Sequence, residues 1–83
     1  MATVSADALR AGRALIDMSQ MTLAKEAGIS VPTLRKIEKD QSGVSVDAIL
    51  KVQQVLEGLG VEFLFETTEA FEGVRRRKRS SKG

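Results

Sequence analysis

The side chains able to do chemistry crowd into one short stretch. Gln20, Thr33, Arg35, Lys36, Lys39, Gln41 and Ser42 are all hydrogen-bond donors, and three of them carry a positive charge. Donors of this kind grip anionic oxygens and neutral acceptors; they do not break bonds. Histidine and cysteine are both absent from the 83 residues. That removes the usual general base, the near-neutral pH switch, the thiolate metal ligand and any disulfide framework. No paired carboxylates flank a nucleophile or base, and no glycine-rich phosphate loop or metal-ligand spacing occurs. The chemistry on offer is recognition. Neither an enzyme nor a cofactor nor a metal site is expected.

Positioning these donors requires two short helices and a tight turn. Leu23, Ala24 and Ala27 make one apolar stripe, and Leu34 and Ile37 make another at i, i+3. Gly28 ends the first helix, where a left-handed residue is cheapest without a Cβ. Ile29 plugs the corner, and Ser30 caps the second helix by accepting from the Thr33 N–H. Ala24 is small enough for the second helix to cross close above it. This is the arrangement of a helix-turn-helix.

The stretch from Gln20 to Lys39, QMTLAKEAGISVPTLRKIEK, resembles the helix-turn-helix of the phage Cro and repressor family, also called the XRE family. Gln20, Ala24, Gly28, Leu34, Ile37 and Glu38 stand where that family's pattern puts such residues, and the likeness runs from about Ala8 to Glu66. The resemblance implies a mainly α fold: a compact four-helix, lambda-repressor-like domain, here followed by a C-terminal strand or short hairpin used for dimerisation. It implies a sequence-specific DNA-binding regulator, most simply a dimeric repressor of its own or a neighbouring promoter. The helix from Val31 to Lys39 then enters the major groove. Val31, Pro32 and Lys36 fall at base-contacting places, with Thr33 and Arg35 on adjacent exposed turns. Val31 and Pro32 have no hydrogen-bonding side chain and can read only shape or a thymine methyl, whereas Lys36 can donate to guanine. Relatives often carry glutamine at the first positions of this helix, so this chain's target does not follow from theirs. Gln20, at the start of its helix, is expected on a phosphate, with Lys39, Gln41 and Ser42 on the next ones. Arg13 and Glu38 match a partly buried ion pair of the family that locks the first helix to the third.

Along the rest of the chain, Ser5 caps a first helix expected from Ala6 to Asp17, with Ala8, Leu9, Gly12, Leu15 and Ile16 on its buried side. Gly12 weakens that helix, and a closely packed neighbouring helix explains its presence. Ser45 caps the fourth helix, with Val44 and Ile49 spaced as a hydrophobic staple. Val46, Ile49, Leu50, Val52, Val55, Leu56 and Leu59 give it an apolar face wider than one small bundle needs. Val61 to Glu66 then alternates as a half-buried strand. A lone strand leaves its backbone groups unpaired. Its partner is either the segment from Gly73 to Lys78, folded back through Thr67 to Glu72, or the same strand of a second copy, or both. Val61, Phe63, Leu64 and Phe65 are the expected dimer contacts. The organisation expected is a helical DNA-binding domain over residues 1–60, a hairpin for dimerisation over 61–78 and a disordered basic tail over 79–83.

Charge is uneven. Met1 to Glu66 holds seven Lys/Arg against nine Asp/Glu, while Thr67 to Gly83 holds six against two. The body therefore relies on a few placed cations. The run Arg75 to Lys82 is either a solvated tail, an arm on the DNA backbone or minor groove, or a basic strand end facing Glu62 and Glu66. Double-stranded DNA and a second copy are the expected partners. A second reading is an antitoxin whose Phe71 and basic tail hold an acidic toxin surface, or a chain held by an antiactivator. No apolar run approaches the ~18 residues of a membrane span, and the N-terminus lacks the order of a secretory signal. A cytoplasmic location is expected.

Overall fold

The computed structural model describes residues 3–65 and 72–76. Residues 67–71 of the expected turn, Phe71 among them, and the basic tail from residue 77 lie outside the described residues. Four helices come first: α1 (Ala6–Leu15), α2 (Gln20–Ala27), α3 (Val31–Lys39) and α4 (Val46–Gly58). An antiparallel hairpin follows, β1 (Val61–Phe65) paired with β2 (Glu72–Arg76).

Each helix opens on a serine whose hydroxyl accepts a first-turn backbone N–H. Ser5 takes that of Ala8 at 3.0 Å, Ser19 that of Thr22 at 3.0 Å, Ser30 that of Thr33 at 3.2 Å and Ser45 that of Ala48 at 3.1 Å. Each cap satisfies one of the four backbone donors that every helix start leaves over. Pro32 sits in the first turn of α3, where its missing N–H had no helical partner to lose.

Helices α1 and α2 each reverse at a left-handed residue. In α2 it is Gly28, at φ 72°, and the Ile29 N–H reaches back to the Ala24 carbonyl at 3.0 Å. In α1 it is Asp17, at φ 55°, with the Met18 N–H on the Arg13 carbonyl at 3.1 Å and the Asp17 N–H on that of Ala14 at 3.0 Å. Both are Schellman closures. Helix α1 therefore stops at Leu15, two residues before the end expected from the sequence. Its Leu15 is 39% exposed rather than buried, because the reversal turns Ile16 and Met18 toward the core in its place.

The core joins all six elements. Leu9, Leu23, Leu34, Ile37, Val52, Leu56 and Val61 are fully buried, and Val4 joins them from ahead of α1. Both backbone groups of Val4 are held by glutamines: its N–H donates to Gln53 Oε1 at 3.4 Å and its carbonyl accepts from Gln41 Nε2 at 3.2 Å. On α4 the buried face narrows to Ile49, Val52 and Leu56, and both Val46 and Leu59 are exposed.

The hairpin lies on α1 and α4. Gly12 is the notch that seats it: a Cβ there would stand 3.1 Å from Val61 Cγ1 and 3.3 Å from the Phe63 ring. The close neighbour that Gly12 admits is thus a strand, not the helix expected. Register places Val61 opposite Arg76, Glu62 opposite Arg75, Phe63 opposite Val74, Leu64 opposite Gly73 and Phe65 opposite Glu72. The intrachain partner is therefore Glu72–Arg76, starting one residue earlier than the sequence suggested. Val61, Phe63 and Val74 face the core, while Glu62 and Arg75 pair across the strands at 2.6 Å.

Candidate nucleic-acid interface

Helix α3 divides into two faces. Leu34, Ile37 and Glu38 are buried, and Pro32, Arg35, Lys36 and Lys39 are exposed. Val31 and Thr33 are intermediate: Val31 packs against the core, and Thr33 Oγ1 accepts from the Ser30 hydroxyl at 2.9 Å. The outer face is therefore a proline followed by three cations.

The inner face is anchored by a buried carboxylate. Glu38 is 3% exposed. Arg13 grips it in fork geometry, Nε donating to Oε2 at 2.7 Å and Nη2 to Oε1 at 3.0 Å. The third arginine nitrogen, Nη1, donates to the Met18 carbonyl at 2.9 Å. Gln20 adds its amide, Nε2 donating to Glu38 Oε1 at 3.0 Å. The cluster ties α1, α2 and α3 through one side chain. Bidentate charge-assisted bonds of this kind fix direction as well as distance. Among the described residues no buried side-chain polar atom lacks a partner.

A second arginine holds the same turn from outside. Arg10 Nη1 donates to the Glu38 backbone carbonyl at 2.6 Å, while its Nη2 donates to Asp7 at 2.8 Å. Helix C-termini leave carbonyls over, and Arg10 satisfies one of them. The spacing of Arg10 and Arg13 at i, i+3 puts both on one side of α1. That spacing is the signal by which Arg10 is legible in the sequence.

The residues expected on phosphates divide. Lys39 is exposed. Gln41 is turned inward onto the Val4 carbonyl, and one N–H of Gln20 is taken by Glu38. Both donors of Ser42 are turned onto Asp40: its N–H donates to Oδ1 at 3.0 Å and its hydroxyl at 2.8 Å. Asp40, not singled out from the sequence, belongs to the spacing Asp-x-Ser that closes such turns. The Ser42 N–H, then its hydroxyl, hold the Asp40 carboxyl below the ordinary aspartate range, with Lys36 and Lys39 adding to the effect.

Four cations outside α3 are matched with acids: Arg10 with Asp7, Arg13 with Glu38, Lys51 with Asp47 and Arg75 with Glu62. Among the described residues, Arg35, Lys36 and Lys39 of α3 form no ion pair, nor do Lys25 of α2 and Arg76 of β2. Two helices joined at the Gly28 turn, the second locked inward by Glu38 and offering free cations outward, have the architecture of a helix-turn-helix.

Comparison with known families agrees. The family model described as helix-turn-helix matches residues 9–64, and the chain belongs to this XRE-type family of DNA-binding transcriptional regulators. No curated protein matches the chain. The match runs from within α1 to residue 64 of β1, so most of the strand lies within the family unit. No helix among the described residues is long and apolar enough to cross a membrane.

Proposed function

We propose that the protein is a dimeric repressor that binds an inverted-repeat operator through α3 in the major groove. The observation that carries this reading is the contrast in ion pairing: α3 leaves Arg35, Lys36 and Lys39 free and exposed, while the arginines of α1 are tied to acids. Lys36 reads base edges, with Arg35 and Thr33 beside it. Pro32 offers only a surface to fit, and Val31, half withdrawn into the core, contributes shape. Lys39 and the second amide N–H of Gln20 hold phosphates. Two copies related by a two-fold axis place their α3 helices about 34 Å apart, one DNA turn, and occlude the promoter they cover.

Selection from a random-sequence duplex pool with the purified chain, followed by footprinting, tests the reading. A protected inverted repeat is expected. Lys36→Ala is expected to reduce the preference for the selected duplex over random sequence by ~10-fold or more, as loss of one good base contact implies. Equal wild-type affinity for every duplex would sink direct readout. Protein that binds DNA only with the product of an adjacent gene would favour the antitoxin reading.

A further inference from the structure

The exposed acid that follows the free cations of α3 forms no ion pair with them. Asp40 follows Lys39 directly and is exposed, yet no ion pair joins it to Lys36 or Lys39. Its Oδ1 instead collects two donors from one residue, the N–H and the hydroxyl of Ser42, at 3.0 and 2.8 Å. Two donors converging on a single anionic oxygen is also how a loop holds a phosphate oxygen. The carboxylate thus stands where the α3–α4 loop would otherwise offer its own donors outward.

We propose that Asp40 is an internal competitor for DNA phosphate, a negative determinant of affinity built into the DNA-binding face. It acts twice. Its charge repels a phosphate that approaches the end of α3, and its hydrogen bonds keep both Ser42 donors from that phosphate. Lys36 and Lys39 keep their charge, so attraction is reduced and not abolished. The effect falls on backbone contacts, which dominate sequence-independent binding, and takes no hydrogen-bond donor from Lys36. Asp40 therefore sets how tightly the protein holds any duplex, while Lys36 sets which duplex it prefers. The inference rests on the reading of α3 as the DNA-facing helix.

Two substitutions separate the two actions. Asp40→Asn keeps the acceptor for Ser42 and removes the charge; Asp40→Ala removes both. Binding is measured by fluorescence anisotropy across a salt series. The probes are a random-sequence duplex and the duplex recovered by selection with wild type. Asp40→Asn is expected to tighten both by about fivefold, the size of one unit-charge repulsion removed at close range in water. The ratio between the two duplexes stays unchanged. Asp40→Ala is expected to tighten both further, with a salt slope steeper by ~0.9 for each additional phosphate the protein neutralises. Thermal unfolding accompanies each measurement, and Asp40→Asn carries the test where the alanine loosens the loop. Wild type that binds DNA, with an Asp40→Asn variant that folds equally well and binds no more tightly, overturns the inference alone. Wild type and variants that all bind neither duplex overturn it together with the DNA reading.

Discussion

At the scale of single residues, the protein is defined by how it distributes charge between inside and outside. Glu38 is a buried acid with three side-chain donors on its carboxylate, two of them from Arg13. Arg13→Ala leaves that carboxylate with Gln20 alone. The substitution is expected to destabilise the fold by about 3–5 kcal/mol, the usual result of leaving one buried charge without its partner. Urea unfolding measures it, and a loss below ~1 kcal/mol would show the pair to be solvated. Asp40 is the opposite case, an exposed acid whose carboxyl is held below the ordinary value of 3.8 chiefly by the Ser42 N–H and hydroxyl. A folded pKa below the unfolded one means that the loop's stabilisation is fully present above 3.8. It is lost as the pH falls through the folded value. An NMR titration is expected to find the Asp40 midpoint below that of an unfolded peptide, and Ser42→Ala is expected to move it back up.

At the scale of elements, α1 serves two neighbours at once. Arg10 and Arg13 hold the last turn of α3, and Gly12 seats the hairpin. The notch has no spare room for a branched side chain. Gly12→Val is expected to displace β1 and destabilise by about 1–3 kcal/mol, as overpacking commonly does. Hydrogen exchange is expected to rise first in Val61–Phe65, before α3 is affected. Uniform loosening of all elements would mean that the hairpin and bundle unfold as one unit. Serine caps and the glycine turn were legible at this scale because they act through bonds to residues three or four positions away. The early stop of α1 was not. Asp17 in the left-handed region is a choice made by the closure around it, and nothing in its own identity demands it.

At the scale of the whole molecule, the hairpin decides what remains for a partner. Val61 and Phe63, both expected at a dimer contact, are directed to the chain's own core, whereas Leu64 is 38% exposed opposite Gly73. A dimer built on the hairpin uses the Leu64 face or a free strand edge. Under this proposal Leu64→Glu is expected to shift the protein from dimer to monomer in sedimentation, with little change in Tm. Operator affinity is expected to fall by more than tenfold, because one reading helix then acts without the other. A variant that sediments like wild type would move the interface elsewhere, to the exposed apolar side chains at Val46 or Leu59 of α4.

The sequence by itself determined the four helices and their caps, the turn at Gly28, the alternating strand at Val61 and the absence of histidine and cysteine chemistry. Those features are local: periodicity, capping and composition act over a few residues and need no knowledge of what packs against them. The resemblance added which helix is expected on DNA and which two residues to pair. Tertiary structure alone decided the rest. Val4 entered the core because Gln41 and Gln53, far along the chain, satisfy its backbone. Gln41, a donor by type, was turned inward onto the Val4 carbonyl, and the Ser42 hydroxyl was taken at the surface by Asp40. Gly12 received a strand rather than a helix. A donor's type fixes what it can bind, but only the folded chain fixes whether the molecule's own acceptors reach it first.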